Sequence, residues 1–147
     1  MSHDLTVERW FDAAPEDVFD AYTDPAAQRE WYEDEPGWVV EAECDLRVGG
    51  RWIVAFGPLG SEPYRETNVF EEVDRPRRLV YTSTVTMPDG SSFDTGMEVT
   101  FEERDGRTRM TILHTGFPSA QVRDDHRSGW PGFLDRLQRV VNARVAG

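Results

Sequence analysis

Histidine, cysteine, and carboxylates or phenols set among apolar residues are the side chains in this sequence able to move a proton, hold a metal or attack a substrate. The histidines are His3, His114 and His126, and the one cysteine is Cys44. None stands at ligand spacing with another, so no zinc pattern exists, and no metal or other cofactor is expected. "RVGGRW" lacks the spacing of a dinucleotide loop, and a P-loop lysine is impossible because every basic residue is Arg. No G-x-S-x-G elbow occurs. Acid–base chemistry remains. His114, in "TRMTILHT", shares strand parity with Met110 and Ile112 and should point inward with them. An inward imidazole near a strand end suits either a general acid/base or a hydrogen-bonded core position. Glu66, in "YRETNVF", shares parity with Tyr64, Asn68 and Phe70. If that face is concave, Glu66 and Asn68 are polar groups in an apolar pocket, where a few such groups orient a ligand. The opposite face, Arg65, Thr67 and Val69, mixes polar and apolar residues as well, and the pattern leaves the choice open. Tyr81 is the third group able to carry a proton.

The elements that must position these groups follow from periodicity. "LTVERWF" (Leu5 to Phe11) is β-rich. In "AAPEDVFDAYTD", Pro15 suits a first helical turn, Glu16 and Asp17 suit that end, and Val18, Phe19 and Tyr22 make one apolar face. "TDPAAQREWY" predicts a second short helix, with Thr23 or Asp24 as cap and Pro25 just inside. Three hairpins follow. "WVVEAEC" and "RWIVAF" flank "DLRVGG"; "YRETNVFEEV" and "RRLVYTSTVT" flank "DRP"; "FDTGMEVTFEE" and "TRMTILHT" flank "RDGR", where Asp105-Gly106 is a strong turn signal. Beyond "GFPS", Val122, Trp130, Phe133, Leu134, Leu137, Val140 and Val141 recur at helical spacing over Ala120 to Val145. Within that run Pro131 has no N–H for the carbonyl of Arg127, so the helix should kink there or restart at Trp130 with Ser128 as cap. His126 and Trp130 share one face at four-residue spacing. Trp130 suits core packing, and a bend would also aim it over a pocket mouth.

The order of one strand, two short helices, six strands and a long helix is α+β. A helix of about 25 residues spans nearly 40 Å, enough to cross a curved sheet from edge to edge. A bent antiparallel sheet and a straight rod do not close on each other everywhere, and the space left between them is lined by apolar side chains. The chain of 147 residues is one domain's length, with five Trp, eight Phe and four Tyr. A net charge of -12 makes nucleic acid and anionic lipid poor partners. No run of about 18 apolar residues is present, and "MSHDLTVERW" lacks the features of a signal peptide. With one cysteine, a cytoplasmic location is expected.

Four stretches carry a family resemblance. "FDAAPEDVFDAYTDPAAQREW" (Phe11 to Trp31), "DLRVGGRW" (Asp45 to Trp52), "FEEVDRPRRLVYT" (Phe70 to Thr82) and "GWPGFLDRL" (Gly129 to Leu137) occur in the order found in the SRPBCC (START-like, helix-grip) superfamily. Within it, the chain is most similar to the Hsp90 ATPase activator homologue-like family. The resemblance implies a helix-grip fold over residues 1–147: a seven-stranded curved antiparallel sheet wrapped around a long C-terminal helix. It specifies the fold more than the function, because that superfamily handles many apolar molecules. The Hsp90 activator itself resembles a two-domain protein, and this chain is too short for the second domain.

The expected function is binding of an apolar or aromatic small molecule between sheet and last helix. Burying a ligand face of about 200 Å² supplies roughly 5 kcal/mol, without any catalytic residue. The expected lining is Trp31, Trp52, Val54, Phe56, Glu66, Asn68, Tyr81, Ser83, Met97, Val99, Met110, Ile112 and His114, under a lid of Trp130, Phe133, Leu134 and Leu137. One alternative is a cyclase- or dehydratase-like enzyme using His114, Tyr81 or Glu66. Another is a module stimulating an Hsp90-type chaperone ATPase, which predicts an exposed apolar patch and no cavity. The oligomeric state is left open by the sequence: Trp or Phe exposed on the hairpins would favour a homodimer.

Overall fold

The computed structural model describes residues 3–147. In chain order the elements are β1 (His3–Phe11), α1 (Pro15–Thr23), α2 (Pro25–Trp31), β2 (Trp38–Cys44), β3 (Arg51–Pro58), β4 (Tyr64–Asp74), β5 (Arg78–Thr86), β6 (Ser92–Arg104), β7 (Arg107–Phe117) and α3 (Ala120–Ala146). All strand pairs are antiparallel, in the order β1-β7-β6-β5-β4-β3-β2. The six later strands form a meander, and β1 closes it by pairing with β7.

Local chemistry sets the turns. Asp105 and Gly106, between β6 and β7, both have positive φ (53° and 79°), the requirement of a two-residue type I′ hairpin. In the β2–β3 connection the two glycines do different things. Gly49 takes φ +81°, whereas a Cβ on Gly50 would lie 2.1 Å from the carbonyl oxygen of Asp45. Asp24 caps α2 by accepting a hydrogen bond from the Ala26 N–H at 3.0 Å, and Pro25 fills the first turn as expected.

The last helix corrects one expectation. It neither restarts at Trp130 nor uses Ser128 as cap: Ser119 caps it, accepting from the Val122 N–H at 3.2 Å, and the helix runs unbroken through Pro131. Arg127 and Pro131 are both exposed, so water can satisfy the carbonyl that proline leaves without a donor. Polar contacts pin α3 along its length. Arg9 of β1 reaches Asp135 at 2.9 Å and Gln138 at 2.8 Å, Arg136 donates to the Trp31 carbonyl at 2.9 Å, and Arg144 pairs with Asp24.

The core fills one half of the concave face. There α1 packs against β6, β7 and α3, with Phe19 edge-on to Phe101 at 5.3 Å and Tyr22 edge-on to Trp52 at 5.3 Å. Over the other half, α3 and the sheet stand apart. Among the described residues, no helix is long and apolar enough to cross a membrane.

Candidate functional site

The gap is a cavity of about 290 Å³, close to the lower end of the size range of small-molecule sites. Its floor is the concave face of β3 to β7. Cross-strand register places Glu66 beside Val85, Tyr81 beside Met97 and Met97 beside His114, while Ser83 lies one step along β5. Its roof is α3, through His126, Gly129, Trp130 and Phe133. Tyr22 of α1, and Trp31 and Tyr32 at the end of α2, close the inner wall; Trp38, Phe56 and Tyr64 close the side toward β2. Asp34 and Asp125, both exposed, border it where it meets solvent.

The face of β4 left open by the sequence is decided. Asn68 and Phe70 are buried and Val69 is 36% exposed, so Tyr64, Glu66, Asn68 and Phe70 face inward. The aromatic rings form a connected wall. Tyr64 stacks on Phe56 at 5.6 Å and on Trp38 at 6.3 Å; Tyr32 meets Phe56 at 5.1 Å and Phe133 at 5.3 Å; Trp130 meets Phe133 at 6.2 Å.

The polar groups in this wall differ in their freedom. The Tyr32 hydroxyl donates to Glu66 Oε1 at 2.9 Å. Burial pushes the Glu66 carboxyl up to about 7, with the Tyr32 hydroxyl and, more weakly, the neighbouring Asn68 amide working in the other direction. Asn68 Nδ2 is itself committed to the Trp52 carbonyl at 3.2 Å. Among the described residues no Arg or His forms an ion pair with Glu66; Arg136 of α3 and Arg9 of β1 pair with Asp34 and Asp135. The Tyr22 and Tyr81 hydroxyls share a hydrogen bond of 2.7 Å, and burial holds both phenols well above their ordinary value.

His114 is held at both nitrogens. The Trp130 indole N–H donates to Nδ1 at 3.3 Å, so Nδ1 accepts, the ring is neutral, and the proton on Nε2 goes to Thr95 Oγ1 at 2.9 Å. Burial, aided by the nearby His126, drops its pKa to about 3. His114 is therefore a hydrogen-bonded wall residue with no proton to exchange near neutral pH. Trp130, partly buried, orients that imidazole and presents its ring to the cavity. Cys44 lies outside the cavity, its thiol pushed up to about 12 by burial. No cluster of metal-ligating side chains occurs among the described residues.

Of the residues expected to line the pocket, Trp31, Phe56, Glu66, Tyr81, Ser83, Met97, His114, Trp130 and Phe133 are on the wall. Trp52, Val54, Asn68, Val99, Met110, Ile112, Leu134 and Leu137 are not: each is buried in packed core. They face inward as their parity demands, but α1 and the second half of α3 press on the sheet where most of them lie, and strand parity carries no information about where a helix sits above a face. Tyr22, Tyr32, Trp38, Tyr64, Val85, Met87 and His126 are wall residues that the expected lining omitted. Parity with Glu66 pointed to Tyr64, and the one-turn spacing to Trp130 pointed to His126; Tyr32 ends the predicted second helix and Trp38 opens the next strand, and at such end positions periodicity does not fix which way a side chain points.

The fold and site can be set against known proteins. A family model described as activator of Hsp90 ATPase homolog 1-like protein matches residues 12–142. The chain belongs to that family. Among solved structures, a protein of Chromobacterium violaceum is 25% identical, with a TM-score of 0.82, covering 95% of this chain and 97% of that one. A protein of Rhizobium loti is also 25% identical, with a TM-score of 0.81 and the same coverage of the two chains, 95% and 97%. The AHSA1-like protein from Aeromonas hydrophila is 25% identical, with a TM-score of 0.77 over 98% of this chain and 95% of its own. No curated protein matches the sequence. Membership of the activator of Hsp90 ATPase homolog 1-like family, and of the SRPBCC superfamily, accounts for the helix-grip architecture: a curved seven-stranded sheet, a long final helix and two short helices after the first strand.

Proposed function

We propose that this chain is a cytoplasmic binder of an apolar small molecule, held between the sheet and α3. The observation that carries the reading is the cavity of about 290 Å³, walled by aromatic and methionine side chains and open to solvent between Asp34 and Asp125. Nothing in binding requires a catalytic group: burying about 200 Å² of ligand supplies roughly 5 kcal/mol. The strongly acidic chain makes nucleic acid and anionic lipid unsuitable partners. The chaperone-stimulating reading has less support, because it required a surface patch in place of a cavity.

A second reading draws support from Glu66, a cavity-facing carboxyl poised to about 7, the range in which a carboxylate is an effective general base. On that reading the protein is a cyclase- or dehydratase-like enzyme with Glu66 as its proton carrier. Native mass spectrometry of freshly purified protein tests the first reading, and a retained small mass is the expected result. Incubating the released compound with fresh protein tests the second: binding alone returns it unchanged, whereas an enzyme converts it.

A further inference from the structure

Glu66 poses a question of charge balance. Its carboxylate lies at the floor of an aromatic cavity, takes one hydrogen bond, from Tyr32, on Oε1, and has no cationic partner among the described residues. The Arg136 guanidinium above the Phe133 ring donates from Nε to the Trp31 carbonyl, pairs through Nη1 with Asp34 and leaves Nη2 buried without a partner, and it forms no ion pair with Glu66. An ionised carboxylate so placed is expensive unless a positive charge reaches it. Three further observations give the missing charge a source in the ligand. The rings of Trp38, Phe56 and Tyr64, stacked through Tyr64, line the same space, and an aromatic lining of this kind is one that organic cations favour. The exposed side chains at the rim, Asp34 and Asp125, are both acidic. The chain as a whole carries -12, a field that concentrates cations and repels anions.

We infer that the cavity takes an organic ammonium: an aromatic or branched apolar body bearing one positively charged nitrogen, which hydrogen-bonds the Glu66 carboxylate while the body fills the space beneath Trp130 and Phe133. The inference rests on the cavity reading above and names its ligand class. Glu66 sets the specificity for charge, and the rings set the specificity for shape.

The test uses three probes of one size and three charges: naphthylmethylammonium, naphthylmethanol and naphthoate, titrated into the protein by calorimetry at pH 8. The expected order is ammonium over alcohol by roughly tenfold or more, the size of one charge-assisted hydrogen bond, with naphthoate weakest. Glu66→Gln should abolish the preference while still binding the alcohol. In the wild type, affinity for the ammonium should rise between pH 6 and pH 8 as Glu66 ionises, while affinity for the alcohol stays flat. The other titratable groups facing the cavity are Tyr22, Tyr32, Tyr64, Tyr81, His114 and His126, with Asp34 and Asp125 at the rim. His126→Gln, which leaves Glu66 in place, should keep the pH dependence. Equal affinity for ammonium and alcohol, a preference for naphthoate, or a preference that survives Glu66→Gln would overturn the inference and leave the cavity reading standing. Should the glutamine variant fail to fold, a flat pH profile for the ammonium in the His126→Gln protein overturns it equally. Binding of none of the three removes the cavity reading and this inference together.

Discussion

Glu66 and His114 are both shifted by burial, in opposite directions, and the two shifts mask each other. At pH values below the ordinary carboxyl value of 4.5, Glu66 holds its proton whether the chain is folded or not. As pH rises from there to about 7, the unfolded chain releases the proton while the fold retains it, so stability falls, by about 3 kcal/mol in all. His114 works the other way. Above its ordinary 6.5 it is neutral in both states; as pH falls toward about 3 the unfolded chain takes up a proton that the fold refuses, and about 5 kcal/mol is lost. Between pH 4.5 and 6.5 the slopes oppose each other at about 1.4 kcal/mol per pH unit each. Denaturant titrations across that window should show Glu66→Gln gaining stability relative to wild type as pH rises, and His114→Gln gaining relative to wild type as pH falls. Parallel curves for all three proteins would refute both assignments. The sequence placed His114 on the inward face and left the face of Glu66 open, and it showed neither role: the partner that occupies His114 Nδ1 comes from α3, sixteen residues away along the chain and across the cavity.

At the scale of elements, glycines that look alike in the sequence divide by what surrounds them. Gly129 has open space around its would-be Cβ, so Gly129→Ala in the middle of α3 should stabilise by about 0.5–1 kcal/mol. Gly50→Ala drives a methyl group against the Asp45 carbonyl oxygen and should cost at least about 2 kcal/mol. Thermal unfolding of the two variants measures both, and shifts of the same sign would contradict the packing described. The strand parities of β3, β5, β6 and β7, the Asp105-Gly106 turn and the length of α3 were legible because each depends on local periodicity or turn chemistry, whereas β4 mixes polar and apolar residues on both faces and was not. The continuity of α3 through Pro131 was not, because solvent relieves that break from outside, and the sequence alone does not mark which side of a helix is wet.

For the molecule as a whole, the site is a difference in spacing between two surfaces, closed where α1 wedges in and open where only α3 spans the sheet. Filling that difference should act like an internal ligand. Val85→Phe places a ring on the cavity floor, and it should abolish probe binding without lowering Tm. A probe at a hundred times its Kd adds about 2.7 kcal/mol to the wild type, or roughly 8 °C in Tm for a chain of this size. The same addition should leave Val85→Phe unmoved in a melting experiment, and an undiminished shift there would put the site elsewhere. This spacing was the part of the site least open to prediction, since Trp52 and Tyr81 read alike in sequence and only Tyr81 touches the cavity. The meander has one more consequence, for the chain as it is made. Strands β2 to β7 pair neighbour to neighbour and are all synthesised before α3. On the ribosome, then, the aromatic floor with Tyr64, Tyr81 and Met97 emerges while the segment that shelters it is still being translated, and a nascent-chain chaperone would find its most adhesive target in that interval.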